Sequence, residues 1–276
     1  METTRPIRDL PYMPRRHVGA GRRRTIMRIV VVGGTGLVGA RVVRQLEAAN
    51  HDVVVAARST GVDIVTGAGL DRTLEGAAVV IDVSNPGYAD PADMLRFFEA
   101  AGATLLAAGK TAGIAHHITF SAIGAERIGS GYYRGKYAQE ALVAASGIPF
   151  TIVRSTPLFE YIDAILDAGR SEESVRVPPL SVQPIATDDA ARVLMQVALR
   201  GPANAIVEVS GPNIYALPDL AQQILTAAED YRPVLVDVAA PFFGARPGVD
   251  ALVTGAAVRS DDAGFEYWLQ RALAPA

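Results

Sequence analysis

Short apolar runs rich in valine and isoleucine alternate with helix-like segments along most of this chain of 276 residues. Buried parallel strands have this continuous apolar character, and each needs a crossover, usually a helix, before the next strand begins. The pattern predicts strands at residues 27–32, 52–57, 62–65, 77–83, 117–121, 150–154, 181–186, 205–210 and 231–238. It predicts helices at residues 37–48, 70–76, 91–113, 132–145, 189–199, 217–228 and 265–273. The fold class is therefore α/β, with a doubly wound parallel sheet.

A glycine-rich turn joins the first strand to the first helix, in the sequence MRIVVVGGTGLVG at residues 27–39. Gly34, Gly36 and Gly39 fit the spacing GxGxxG. Starting instead at Gly33, the same turn fits the longer spacing GxxGxxG. Without side chains there, a dinucleotide pyrophosphate can approach the backbone and bind at the helix N-terminus, whose N–H groups favour an anion. Both spacings predict a dinucleotide site, and the alternative is a tight turn without a ligand.

Polar residues follow two further strands at the carboxyl ends, where open parallel sheets bind ligands. Arg58 and Ser59 follow the second strand, where an NAD site has an acidic residue for the ribose hydroxyls. An arginine pairs with a 2′-phosphate and a serine adds a hydroxyl donor, so the sequence favours NADP(H) over NAD(H). The alternative for Arg58 is an exposed residue without a ligand. Ser84 and Asn85 follow the strand at 77–83, and we expect them near the same cofactor.

Tyr132 and Lys136 are four residues apart on a predicted helix, so the phenol and the ammonium lie on one face and can meet. The spacing is common by chance, but Lys110 and Lys136 are the only lysines in the chain. A nearby ammonium lowers the pKa of a phenol, which is ordinarily about 10, and so makes the tyrosine a usable acid at neutral pH. Ser121 ends the strand at 117–121 and is expected at the same edge of the sheet.

Composition removes several classes of function. The chain has no cysteine, which excludes thiolate and disulfide chemistry. No apolar run approaches the ~18 residues that a membrane helix needs, so we expect a cytoplasmic protein without a membrane partner. The histidines have no carboxylate at a metal-binding spacing, and His116 and His117 begin a strand, where adjacent rings point to opposite faces. No metal is therefore expected.

The net charge of −3 is distributed unevenly, with about +5 in residues 1–26 and about −8 in the rest. The composition of this basic tail predicts disorder, and the tail is the one segment from which a nucleic-acid contact could come. Because Met27 begins the first strand, a further reading is that the tail precedes the true start. A signal peptide is not favoured, since cleavage after Ala40 would remove the first strand and the glycine turn.

Four features together resemble the atypical short-chain dehydrogenase/reductases, most closely their NmrA-like NAD(P)H-binding branch. They are GGTGLVG after the first strand, Arg58 after the second, Ser121 at the end of 117–121, and YYRGK ahead of TIVRSTP. The resemblance covers residues 27 to about 225. It implies a Rossmann-type doubly wound parallel sheet with a small C-terminal substrate-binding region, and GxxGxxG as the operative spacing. The predicted division is a disordered basic tail at 1–26, a dinucleotide-binding core at 27–210 with a substrate-loop insertion at about 156–182, and the C-terminal region at 211–276.

The strand ends and the resemblance together give the candidate site. The predicted cofactor-binding residues are Gly33, Thr35, Gly36, Leu37, Val38, Gly39, Arg58, Ser59, Ser84, Asn85 and Lys136. The resemblance implies a catalytic set in which Lys136 binds the nicotinamide ribose, Tyr132 exchanges a proton with the substrate oxygen, and Ser121 orients that oxygen. Tyr133 is a second phenol that could take the place of Tyr132.

The expected function is that of an NADPH-dependent oxidoreductase that transfers a hydride to a small carbonyl or quinone-type acceptor. The alternative belongs to another class, a non-catalytic NADP(H)-sensing regulatory protein that acts through a protein partner, because the resembled branch contains both. The expected ligand besides the cofactor is a small-molecule substrate, and the oligomeric state is left open. Loops rich in proline and aromatic residues, at 177–180 and 241–244, suit an apolar substrate cap, core packing or partner contacts equally well.

Overall fold

A parallel sheet of seven strands forms the centre of the molecule. The computed structural model describes residues 26–87, 90–255, 258–259 and 264–273, so nearly all of the predicted basic tail lies outside the described residues. The strands are β1 (Arg28–Val32), β2 (Asp52–Ala56), β3 (Val79–Asp82), β4 (His116–Ala122), β5 (Phe150–Ser155), β8 (Ala205–Ser210) and β11 (Val258–Arg259). Their order is β11-β8-β5-β4-β3-β1-β2, and every neighbouring pair is parallel. The predicted α/β fold with a parallel sheet is confirmed.

Helices cover both faces of this sheet. They are α1 (Leu37–Ala48) and α6 (Thr187–Arg200) on one face, and α2 (Leu70–Leu74), α3 (Pro91–Ala112) and α4 (Gly131–Ala145) on the other. Side chains alternate along a strand, so Ile29 and Val31 of β1 pack with α1 and α6, whereas Val30 and Val32 pack with the helices opposite. Strand β1 is therefore apolar on both faces, which explains its unbroken run of valine and isoleucine.

The strand predicted at 62–65 is wrong. This segment forms turns in which the Asp63 carboxylate accepts hydrogen bonds from the backbone N–H groups of Val65, at 2.8 Å, and Thr66, at 3.2 Å. Gly67 and Gly69 beside it have positive φ angles of 83° and 78°. Such angles interrupt an extended strand, and β2 is consequently the edge of the sheet.

A second core belongs to a C-terminal lobe, which we define as residues 159–182 together with 215–255 and 264–273. Its elements are α5 (Ile162–Ala168), β6 (Val175–Val177), β7 (Ser181–Val182), β9 (Tyr215–Ala216), α7 (Leu217–Ala227), β10 (Val234–Val236) and α8 (Phe265–Leu273). Strands β6 and β10 pair in parallel, and β7 and β9 pair antiparallel. Phe159, Leu220, Phe242 and Phe265 lie in this core, and so does Tyr133 from α4. The lobe therefore packs on the first turn of α4. The domain boundaries predicted from the sequence, at residues 26 and 210, stay a prediction.

Candidate active site at the carboxyl edge of the sheet

The glycine turn is packed so tightly that side chains could not occupy most of it. Gly33 has a φ of +78°, and its N–H donates to the Ala56 carbonyl at the end of β2, at 2.8 Å. A Cβ added at Gly39 would lie 2.2 Å from the Gly33 carbonyl oxygen, and one added at Gly34 would lie 2.9 Å from that of Val31. These three glycines are required by the close approach of strand and helix.

Gly36 is constrained less than the other glycines. A Cβ there would meet one atom within 4 Å, the Gly33 carbonyl oxygen at 3.3 Å. Gly36 is the N-cap of α1, no side chain caps the helix, and its first turn contains no acidic residue. The N–H groups of Leu37 and Val38 begin the helix, with Thr35 exposed just before it. The turn thus leaves room and backbone donors for an anion at the helix N-terminus.

Arg58 and Ser59 lie where the second strand ends, as predicted. They form a short 3₁₀ turn, Arg58–Thr60, held by a hydrogen bond from the Ala57 N–H to the Thr60 hydroxyl at 3.0 Å. Both side chains are exposed, and the Arg58 guanidinium has no ion pair with any residue in the described ranges. A cation placed this way can meet a phosphate without first leaving a carboxylate.

Ser84 lies against the glycine turn. A Cβ on Gly33 would be 3.1 Å from the Ser84 Cα, and the Ser84 N–H donates to the Asp82 carboxylate at 2.9 Å. The Ser84 hydroxyl is buried and has no hydrogen-bond partner among the described residues. Asn85 is exposed, and its side-chain oxygen accepts from the Gly87 N–H at 3.0 Å. An unpartnered buried hydroxyl beside the turn is one that a bound ligand or water can satisfy.

Lys136, one of the two lysines in the chain, is buried. Its ammonium donates to the Phe120 carbonyl at 2.9 Å and to the Gln139 side-chain oxygen at 3.0 Å. The third ammonium N–H has no acceptor in the described part of the chain, and the nitrogen lies 4.4 Å from the centroid of the Phe98 ring. Two of its three donors are therefore fixed by protein, which holds the ammonium in one place.

A chain of buried hydrogen bonds continues from Lys136 to the strand beside the glycine turn. The Gln139 amide nitrogen donates to the Asp82 carboxylate at 2.8 Å, and the other oxygen of that carboxylate accepts from Ser84. Burial lowers the pKa of Lys136 to about 8, even though the charges of Asp82 and Glu140 raise it. Lys136 is therefore charged at pH 7 and loses its proton just above neutrality.

Tyr132 and Tyr133 have different environments. The Lys136 nitrogen lies 5.8 Å from the Tyr132 ring centroid, so the two residues meet on one face of α4. The partly exposed Tyr132 ring also contacts the rings of Phe98 and Phe243, with centroids 6.0 and 6.2 Å away. Tyr133 is 2% exposed and packs in the core of the C-terminal lobe. Of the two tyrosines, Tyr132 is therefore the one that contacts Lys136.

Ser121 lies in a buried ionic network between β4, α4 and β5. Its hydroxyl donates to the Glu140 carboxylate at 2.5 Å, and the Arg154 guanidinium binds the same carboxylate through Nε at 2.9 Å and Nη2 at 2.5 Å. Arg154 also pairs with Glu126. Burial alone would lower the pKa of Arg154, but the bonds to Glu140 and Glu126 outweigh it and raise the pKa. The single proton of Ser121 is committed to this network.

The sequence pattern does not predict the supporting residues of this site. They are Asp82, Glu126, Gln139, Glu140 and Arg154. A signal exists for three of them, since Gln139 and Glu140 stand three and four positions after Lys136 on one helix face, and Arg154 interrupts an apolar strand. A charge inside a buried strand needs a partner, which could have directed attention to Glu140.

The two adjacent histidines are both buried in β4. His116 lies 2.9 Å from the Thr151 hydroxyl, and burial together with His117 lowers its pKa to about 4. Burial also lowers the pKa of His117, against the charge of Asp82. No group of three or more potential metal ligands occurs among the described residues. Within the same ranges, no helix is both long and apolar enough to cross a membrane.

The fold and the glycine turn define a dinucleotide-binding protein of the Rossmann type. A sequence model described as NAD(P)H-binding matches residues 33–200, which is more than half of the chain. The chain belongs to this NAD(P)H-binding family, and the predicted resemblance to the atypical short-chain dehydrogenase/reductases is confirmed. No curated protein sequence matches the chain.

Solved structures with low sequence identity share the fold. A dTDP-4-dehydrorhamnose reductase from Clostridium acetobutylicum is 18% identical, with a TM-score of 0.66 over 83% of this chain and 90% of that one. The enzyme WbmH from Bordetella bronchiseptica, in complex with NAD+, is 13% identical, with a TM-score of 0.65 over 83% and 89%. A dTDP-4-dehydrorhamnose reductase from Bacillus anthracis, in complex with NADP, is 15% identical, with a TM-score of 0.61 over 76% and 84%. At these sequence identities the similarities show a shared fold.

Proposed function

We propose that this protein is an NADPH-dependent oxidoreductase that reduces a small carbonyl or quinone-type acceptor. The observation that carries the proposal is the pair on α4, in which the Lys136 ammonium is fixed by Phe120 and Gln139 and lies beside the ring of Tyr132. A buried ammonium needs a reason, because burial penalises its charge. Binding a ribose and lowering the pKa of a phenol give it one.

The residues present fit a dinucleotide. The uncapped N-terminus of α1 offers N–H donors to a pyrophosphate, and Gly36 keeps the approach open. The unpartnered hydroxyl of Ser84 lies next to this turn, where a ligand can satisfy it. Arg58 and Ser59, both exposed at the end of β2, support binding of a 2′-phosphate and therefore NADPH rather than NADH.

Bound NADPH would supply the hydride. The protein's own residues would orient the reactants and handle the proton. Lys136 would bind the ribose with its third N–H and keep the Tyr132 phenol acidic. For a carbonyl acceptor, Tyr132 would donate its hydroxyl proton to the acceptor oxygen as the carbon gains the hydride, which gives an alcohol. The ring of Phe98 shields the ammonium from water.

Calorimetry and an acceptor screen test this proposal. We expect NADPH to bind more tightly than NADH, and NADPH to be oxidised in the presence of at least one aldehyde, ketone or quinone. Absence of nucleotide binding in the calorimeter would overturn the proposal.

A second candidate is an NADP(H)-sensing protein without turnover. One observation favours it, namely that the proton of Ser121 is committed to Glu140 and is not offered to a substrate oxygen. In that case NADPH would bind with the preference described, but no acceptor in the screen would oxidise it. Oxidation of any acceptor at a rate that depends on Tyr132 decides for the enzyme.

A further inference from the structure

A tight turn of the C-terminal lobe, Phe242 to Ala245, carries an aromatic residue where turn chemistry disfavours one. Phe242 and Ala245 exchange both backbone hydrogen bonds, at 2.8 and 3.1 Å. The two residues between them, Phe243 and Gly244, have φ angles of +50° and +73°. Two successive positive φ angles are typical of a type I′ turn, whose first central position favours Asn, Asp or Gly. Phenylalanine is held there against its backbone preference.

The turn is clamped to the start of α4, directly at Tyr132. The Phe243 carbonyl accepts a hydrogen bond from the Tyr132 N–H at 3.2 Å. Gly131 has a φ of +56°, and a Cβ there would lie 2.6 Å from the same Phe243 oxygen. No side chain at Gly131 could be accommodated without moving the turn. The position of Phe243 relative to the proposed proton donor is thus fixed by backbone contacts.

The two phenylalanines of the turn differ in burial and in the rings that they contact. Phe242 is fully buried in the lobe core and anchors the turn. Phe243 is only partly buried, with its ring 4.7 Å from that of Phe242 and 6.2 Å from that of Tyr132. Phe243 packs only at the margin of the same core, whereas the fully buried ring of Phe242 anchors the turn within it. A residue in an unfavourable backbone conformation beside the proposed proton donor points to a role at the site.

We propose that Phe243 forms the wall of the acceptor site and selects flat aromatic acceptors, of the quinone type, over short aliphatic aldehydes. This inference rests on the proposed function, since it assigns the acceptor class to the same site. A ring beside Tyr132 can stack on, or meet edge to face, the ring of such an acceptor. An aliphatic aldehyde gains little from that contact.

Two variants of Phe243 separate this role from packing. Phe243→Asn places a residue that the turn favours, so its melting temperature should equal or exceed that of the unmodified protein. Its KM for naphthoquinone should rise about tenfold through loss of ring contact, its KM for butanal should change far less, and its Kd for NADPH should stay the same. Phe243→Tyr should restore the KM for naphthoquinone. Phe150→Leu, which changes a ring at the opposite edge of the sheet, is the control and should alter neither acceptor's KM.

The outcomes distinguish this inference from the proposed function. An unchanged KM for naphthoquinone in Phe243→Asn, or a lower melting temperature that shows the ring to be needed for folding, would overturn the role of Phe243. If the unmodified protein oxidises no NADPH, calorimetric binding of naphthol to the NADP-loaded protein replaces KM as the measurement. Loss of naphthol binding in Phe243→Asn would then support the aromatic site while the proposed function fails. Equal naphthol affinity in the two proteins would overturn the inference.

Discussion

At the glycine turn the candidate site is made of backbone, whereas beside α4 it is made of buried side chains. A side chain at Gly33, Gly34 or Gly39 is excluded by nearby backbone and core atoms. These atoms belong to β1, the turn, α1 and the two neighbouring strands with the residues that follow them. The constraints on Lys136 come from side chains and a carbonyl on other elements, including Asp82 through Gln139. The glycine turn is therefore defined by its shape, whereas the part of the site beside α4 is defined by its charges and hydrogen bonds.

The glycine turn is suited to dinucleotides in general, whereas the side chains beside α4 are particular to this protein. A backbone cradle accepts a pyrophosphate of any dinucleotide, because phosphate oxygens need only N–H groups and room. In the proposed mechanism, the side chains at α4 set the position of a proton and its affinity, and these two properties decide which reaction is possible. Changes at the turn should therefore act on stability and binding, and changes at α4 should act on turnover and its pH dependence.

Tyr132→Phe should produce the largest effect. Removing the phenolic proton should lower kcat for a carbonyl acceptor by about 10²- to 10⁴-fold while the Kd for NADPH changes little. Steady-state kinetics and calorimetry measure the two quantities. Tyr137→Phe, which removes a hydroxyl from an exposed position on the same helix, is the matched control. Unchanged carbonyl reduction in Tyr132→Phe would remove this residue from the mechanism.

Two alanine substitutions in the turn should have opposite profiles. Gly39→Ala should lower the free energy of unfolding by about 3 kcal/mol, since its Cβ would collide with the Gly33 carbonyl. Gly36→Ala should lower it by less than about 1 kcal/mol, the cost of a poorer helix cap, but should weaken NADPH binding about tenfold. Denaturant titration and calorimetry measure these effects. Gly129→Ala, at a position with nothing within 4 Å of an added Cβ, should change neither. Normal NADPH binding by Gly36→Ala would place the phosphates elsewhere.

Arg58→Ala tests the choice of cofactor. Loss of a charge-assisted contact with the 2′-phosphate should raise the Kd for NADPH about 10- to 100-fold and leave that for NADH unchanged. Arg200→Ala, at the exposed end of α6, is the control. Equal losses for both nucleotides would mean that Arg58 does not read the 2′-phosphate.

Asp82→Asn should cause the smallest change, a shift in pH dependence. Lys136 is charged below a pKa of about 8, so the Kd for NADPH should rise as the pH passes that value. The Asp82 charge raises this pKa, and its removal should move the rise to lower pH by about one unit. Asp52→Asn, which neutralises an exposed carboxylate on β2, should leave the profile in place. The same midpoint in Asp82→Asn would exclude coupling between Asp82 and Lys136.

Local patterns predict the framework well. The structure gives α1 and α8 the predicted bounds, 37–48 and 265–273, and places Arg58 and Ser59 in the turn after β2. The strand at 62–65 fails because valine and isoleucine there lie between glycines whose backbone angles end an extended run. Apolar content alone does not distinguish a short strand from a turn packed on the core.

The α4 half of the site could not be predicted to the same depth. Gln139 and Asp82 are 57 positions apart, and Ser121 and Glu140 are 19 apart. No spacing rule connects residues across different strands and helices. The candidate Ser121 shows the consequence, since its position at the edge of the sheet was predictable but the commitment of its hydroxyl to Glu140 was not.

The burial of Tyr133 in the lobe core ties the assembly of the site to the order in which the chain is made. Tyr133 packs with Phe242 and Phe265, which lie more than a hundred positions later in the sequence, while its neighbour Tyr132 belongs to the proposed site. During synthesis, every strand of the central sheet except β11, together with the helices that cover the sheet, emerges before these partners do. The first turn of α4 therefore reaches its final position only when the lobe has docked, and any later separation of the lobe would withdraw the phenol of Tyr132 from its place.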